Sequence, residues 1–358
     1  MRFHYDTSYR DSQALLRYPV GRIAYAVLLL ILLAIPWLLP RYYVGEMSYL
    51  FIMCIASLGL MVLVGYTGQV SLGHSAFIAI GAYSHTWLLS QGLPLPLAMC
   101  LAVAMTGAVG LVIGLPAIRV SGLYLAMVTL AFAILTEHVI GHWKSVTGGF
   151  NGLSVGNPVL LGFDLSGLKP FYYLCLGLLV LVVLGLVNLL RAKTGRAFMG
   201  VRDSEAAAYS LGIWVAGYKV LAFVISAMVT GLAGALLAHH VRFLTPEGFG
   251  LILSLELVLM VTIGGLGSVR GALLGAVLIS MLPTFISRIK PLLPEQISKQ
   301  FGLEIFIFGL VLALFVLFEP KGLNGRWIKF KAFLETFPLY RQDMFKRGKS
   351  YMKSERYK

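Results

Sequence analysis

RAKTGRAFMGVRDSEAAAYSLGIWVAGYK, residues 191–219, is the only long, polar, helix-prone segment with a strongly apolar run on either side. Its basic residues Arg191, Lys193, Arg196, Arg202 and Lys219 outnumber its acids, Asp203 and Glu205. Short loops with such an excess, next to membrane spans, stay in the cytoplasm. Placing this loop inside orients every other span. A plain connector would need nothing so long, so the segment reads as a structured surface on which a cytoplasmic partner sits.

The flanks support a membrane reading. Hydrophobic residues make up 58% of the 358 residues and charged residues only 12%, against about 25% charged in an average soluble domain. Mean hydropathy is +0.85. A bilayer core of about 30 Å takes roughly 20 apolar residues per helix. Runs of about that length lie near 23–40, 48–65, 74–91, 97–118, 121–140, 170–190, 220–238, 251–267, 271–287 and 302–318. Only helices or closed barrels satisfy backbone polar groups in lipid, and continuous runs of this length mean helices. The expectation is an all-α polytopic membrane protein of about ten spans, eight to ten. It divides into a cytoplasmic segment 1–22, a membrane domain 23–319 and a tail 320–358.

With residues 191–219 inside, both termini fall in the cytoplasm. The charges agree: Arg2, Arg10, Arg17, Arg22, Arg119, Arg270 and the tail lie inside, while the outer connections keep few cations. The polar start and long first run read as an uncleaved helix rather than a removable signal. After Pro320 the chain alternates cations with rings (Arg326, Trp327, Lys329, Phe330, Lys331, Phe333), a pattern suited to an anionic membrane surface. The basic residues sit at span ends and on this tail, which argues against nucleic acid as a partner.

Two connections are dense in glycine where hairpins would need little of it: GYTGQVSLGH at 65–74 and IGGLGSVRG at 263–271. They hint at a weak internal repeat of two halves. Interrupted helices at matching positions point to a transport site; tight helix packing through small residues is the alternative. The pathway reading selects Thr67, Gln69, Ser71 and His74 from the first, and Gly264, Gly265 and Gly267 from the second. Glu256, several residues inside an apolar run, is a further candidate, because ionisable groups in a bilayer are costly. Pairing with a histidine from a neighbouring helix is its structural reading. The outer loops at 141–169 and 239–250, with TGGFNGL and TPEGFG, are turn-rich and together read as an outward mouth.

Other chemistry is thin. Gly348-Lys349-Ser350 is the nearest approach to a nucleotide-binding loop, but Asp343 stands where its first glycine belongs. The chain should bind no cofactor and hydrolyse no ATP itself, which makes it no enzyme. His138 and His142 at four-residue spacing, and the pair His239–His240, suggest a metal box. Glu137 precedes His138, however, the reverse of the zinc-protease order, so histidines at the membrane interface are expected. Cys54, Cys100 and Cys175 all fall in apolar runs, and buried inert thiols are expected.

Taken in order, GYTGQVSLGH, TGGFNGL, GRAFMGVRDSEAAAYSLGI, GYKVLAFVISAMVTGLAGAL, LMVTIGGLGSVRGALLGA and FEPKGL resemble the branched-chain amino acid permeases of bacterial ABC importers, M-type subunits above all. The resemblance covers about residues 45–325. It implies a heterodimer with a second permease, two cytoplasmic ATP-binding subunits that use the ATP, and a periplasmic substrate-binding protein, all at a bacterial inner membrane. It also implies that the 191–219 loop contacts an ATPase through Arg202, Glu205, Ala206, Ala207 and Gly212. Gly212 lies one residue further on than the wider superfamily's usual spacing. Two alternatives remain: a permease of the same family for urea or short amides, and an ion-coupled secondary transporter with Glu256 as the ion carrier.

Overall fold

The computed structural model describes residues 19–160, 163–289, 322–336 and a few isolated positions between 306 and 317. The helices are α1 (Pro19–Leu38), α2 (Arg41–Leu60), α3 (His74–Ser90), α4 (Leu95–Gly114), α5 (Leu123–His142), α6 (Leu168–Arg191), α7 (Lys193–Asp203), α8 (Glu205–Ser210), α9 (Val215–Val241), α10 (Leu251–Gly264), α11 (Val269–Ile289) and α12 (Gly322–Thr336). A π-helical turn, Met61–Tyr66, extends α2. Among the described residues seven helices are long and apolar enough to cross a membrane: α2 with its π turn, α4, α5, α6, α9, α10 and α11. The chain is an all-α, multi-pass membrane protein. The run at 302–318 lies largely outside the described residues, as do most of segment 1–22 and the tail beyond 336.

Polar residues shift several boundaries from where hydropathy alone puts them. α2 starts at Arg41, behind Pro40, and carries Glu46 and Ser48 before its apolar stretch. A helix needs backbone bonds at those positions, and side chains at a membrane interface need not be apolar.

α2 and α9 form the centre. α2 buries nearly every residue from Leu50 to Leu63, as a helix that is apolar all round must in a membrane bundle. α9 packs against α2, α3 and α4 through a face of Gly, Ala, Ser and Thr. Gly231 shows why the residues are small: a Cβ there would sit 2.6 Å from Thr106 Oγ1 on α4. Small residues let membrane helices approach closely enough for dispersion to hold them.

α1 is peripheral. Its apolar face, including Leu30, Ile31 and Trp37, is exposed, as a face turned to lipid would be. α6 holds it by its carbonyls: Tyr172 Oη donates to Leu32 O (2.7 Å) and Tyr173 Oη to Leu33 O (3.0 Å). Cys54 and Cys175 are buried as expected, but Cys100 is exposed. It shares the outward side of α4 with Leu97 and Leu101, so an apolar run did not mean a buried position.

The contacts define two ends. At one, Leu153–Ser154 pairs antiparallel with Phe243–Leu244, joining the two turn-rich loops. At the other lie residues 191–219, the connections 65–74 and 263–271, and the start of α12, where Gly322 packs on Gly265.

Candidate functional site

The first glycine-rich connection is a true break. After the π turn the chain leaves helix at Thr67 and re-enters at His74. π turns inside helices often mark functional positions. A break surrounded by protein must satisfy its backbone groups there, and two other helices help to do so. Thr129 of α5 accepts from Leu72 N (3.0 Å), and Ser254 of α10 accepts from Ser75 N (2.9 Å) while donating to Ser75 Oγ (2.8 Å). Thr67 Oγ1 donates back to Leu63 O (2.7 Å).

His74 ties the break to α9. Ser226 Oγ donates to Gly59 O (2.6 Å), so toward His74 Nε2 (2.8 Å) it acts as acceptor. His74 Nε2 therefore carries the proton, and Nδ1 accepts from Ser71 Oγ (3.0 Å). Both ring nitrogens are used and the residue is fully buried. Thr67, Ser71 and His74 thus engage their own chain. Gln69 differs: it is 5% exposed, and neither amide atom has a hydrogen-bond partner among the described residues.

The second break meets the first. α10 ends at Gly264, and Gly265 and Gly267 take positive φ of 115° and 77° before α11 begins. A Cβ on Gly65 would lie 2.6 Å from Gly267 N, so the two breaks touch backbone to backbone. Arg202, from the end of α7, closes the junction. Its Nη1 donates to Gly65 O (2.7 Å), and a Cβ on Gly267 would lie 2.7 Å from the same nitrogen. Its stem covers Gly68, whose Cβ would meet Arg202 Cγ at 3.0 Å. The residue grouped by sequence with the coupling loop therefore reaches the two glycine breaks.

Glu205 also turns inward. Ser204 caps α8 by accepting from Ala207 N (3.3 Å). Glu205 Oε1 lies 2.7 Å from Lys219 Nζ on α9, with the lysine side chain 5% exposed and the glutamate 50%. Gly212, at φ 78°, makes the turn after α8 that lets Ile213 N bond Ala208 O (3.0 Å). Ala206, Ala207 and Gly212 are exposed. Beside them stand Tyr209, Leu211 and Trp214, each at least 75% exposed. A cluster of large apolar groups on a polar loop, outside the apolar spans, has the character of a protein interface. These three, with Thr129, Ser226 and Ser254, carry no motif that singles them out in the sequence; only the apolar side chains within a polar loop could have flagged the first set.

Glu256 is half-buried on α10, within electrostatic range of Tyr49 on α2. His239 pairs with His85 rather than a carboxylate, Nε2 to Nε2 at 2.9 Å. The ring centroids of His138 and His142 lie 4.1 Å apart, the planes tilted by 37°.

A protein family described as "Branched-chain amino acid transport system / permease component" matches residues 42–316. The chain belongs to this family. It is 33% identical over 323 residues to the high-affinity branched-chain amino acid transport system permease protein LivM of Escherichia coli (strain K12), covering 83% of this chain and 73% of the relative. It is 28% identical to the permease protein BraD of the corresponding Pseudomonas aeruginosa system, covering 75% and 90%. The autoinducer 2 import system permease protein LsrC of Escherichia coli O157:H7 is 25% identical, covering 86% and 91%. No solved structure matches. The chain is a permease subunit of an ABC importer, which implies partner ATP-binding and substrate-binding components.

Proposed function

We propose that this permease forms half of the translocation pathway for branched-chain or related amino acids, beside a second, different permease. Two ATP-binding subunits and a periplasmic binding protein complete the importer. In this reading residues 191–219 and both termini face the cytoplasm, and about ten spans cross the membrane. The substrate class rests on similarity to LivM and BraD. The similarity to LsrC makes autoinducer 2 the competing cargo.

One observation carries the mechanism: the loop that presents Tyr209, Leu211 and Trp214 is tied to the membrane helices at two points. Glu205 holds α8 to Lys219 at the foot of α9 (2.7 Å). Seven residues further along α9, about 10 Å at 1.5 Å per residue, Ser226 bonds His74 and Gly59. Arg202 holds α7 to the glycine junction. ATP shifts such an equilibrium only by binding one state better than the other. Here ATP binding draws two partner subunits together and displaces α7 and α8. The displacement reaches the breaks through packed helices, and the exposed apolar residues, beside the half-exposed Glu205, supply the contact with the ATPase.

Reconstitution with the partner subunits tests this. Trp214→Ala should leave the chain folded but weaken its association with the ATP-binding subunits and abolish ATP-driven uptake. Unaltered association would place the interface elsewhere.

A further inference from the structure

We infer that Arg202 is a latch on the loop-side end of the pathway: its guanidinium holds the two glycine breaks together, and the pathway opens at that end only when α7 withdraws it. The inference rests on the importer reading above, which gives α7 its motor, and goes beyond it by assigning the gate.

Three independent features converge on one side chain. Arg202 Nη1 donates to Gly65 O at 2.7 Å, a carbonyl at the widened end of α2. Gly267, across the junction, leaves room for the guanidinium only because it has no side chain, and its φ of 77° disfavours any other residue. The arginine stem lies over Gly68, also at positive φ. The arginine side chain is 42% exposed and its Nε also lies 3.6 Å from Asp203 Oδ1, so the guanidinium can leave toward solvent; its withdrawal takes the side-chain donor from Gly65 O and the cover from Gly68.

Gln69 supplies the reason for opening. It follows Gly68 in the first break, buried, with both ends of its amide unpartnered among the described residues. Buried side-chain amides normally find partners, so burial in the latched state disfavours that state. Opening hands the amide to water or to a polar solute. The charged bond holds the latch and the unsatisfied amide opposes it, so a driven loop has less to overcome.

The test uses the assembled importer in proteoliposomes with Cys100→Ser, which removes the exposed thiol and leaves Cys54 and Cys175 buried. Gln69→Cys then reports access to a membrane-impermeant maleimide added on the loop side. With Arg202 intact and no ATP, labelling should be slow. Arg202→Met should raise the labelling rate roughly tenfold, the effect of losing one charged hydrogen bond, and should raise ATP hydrolysis in the absence of substrate. Gly267→Ala should raise labelling as well, with the arginine still present, and Arg202→Lys should fall between. Labelling within twofold of the parent in folded Arg202→Met complexes would overturn the latch, even if thermal stability fell, because a purely structural role moves stability and not access. Should Arg202→Met fail to assemble, unchanged labelling in Arg202→Lys and Gly267→Ala would overturn it equally. A wild-type chain that recruits no ATPase would overturn the importer reading instead, and the labelling comparison would still decide the latch.

Discussion

Glu205→Ala removes the partner of Lys219, whose side chain is 5% exposed, and leaves an ammonium group with its 2.7 Å counter-charge gone. Two unit charges at that distance attract by about 6 kcal/mol at an effective dielectric of about 20. Truncating one member of a fully buried pair costs about 3–5 kcal/mol. Here the carboxylate is half exposed, and water screens that side, so about 2–3 kcal/mol is expected. At about 1.4 kcal/mol per tenfold, the population with α8 detached from α9 rises roughly 30- to 150-fold. Hydrogen exchange at the α8 amides, in the assembled complex, reads this directly. Transport should show it as ATP hydrolysis that no longer tracks uptake. Glu205→Ala combined with Lys219→Met should recover part of the loss in stability, because the stranded charge is gone, but not the coupling, because the tie is still absent. Exchange in Glu205→Ala within about 0.5 kcal/mol of wild type, or a double variant less stable than the single, would refute the reasoning.

Gly65→Ala places a methyl group 2.6 Å from Gly267 N; forcing such an overlap costs about 1–3 kcal/mol, and a lowered Tm in detergent checks it. His74→Phe keeps the ring volume but leaves the Ser71 hydroxyl without its acceptor, at about 1–3 kcal/mol, while Ser226 still donates to Gly59 O, so it should lower Tm in detergent. Trp214→Ala with Leu211→Ala should leave Tm unchanged and weaken binding of the ATP-binding subunits at least tenfold, in the range of an interface hot spot, measured by titration in nanodiscs.

The membrane class and the places where helices break were legible because both rest on composition: apolar runs long enough for a bilayer, and glycine where helices would exclude it. The loop at 191–219 announced itself by its polarity. What the sequence hid was direction. Arg202 and Glu205 read as outward-facing charges of a docking loop; both stay exposed, at 42% and 50% of the side chain, yet one also reaches the glycine junction and the other pairs with Lys219, because each charge finds a partner in its own chain. Thr129, Ser226 and Ser254 were invisible for another reason. A hydroxyl in an apolar run looks like any small packing residue, and its function depends on a backbone break in a distant helix. His85 likewise gains meaning only from His239, 154 positions away. Cys100 shows the limit of hydropathy itself, which reports that a helix is apolar and not which side meets protein.

What this chain assembles with decides most directly whether it is an importer subunit. The tagged chain, extracted from native membranes in mild detergent, should bring with it a second, different permease and two ATP-binding subunits, identified by mass. A chain that comes out alone or as a homo-oligomer, and takes up solute on an ion gradient without ATP, would contradict the account and make Glu256 the residue to substitute first.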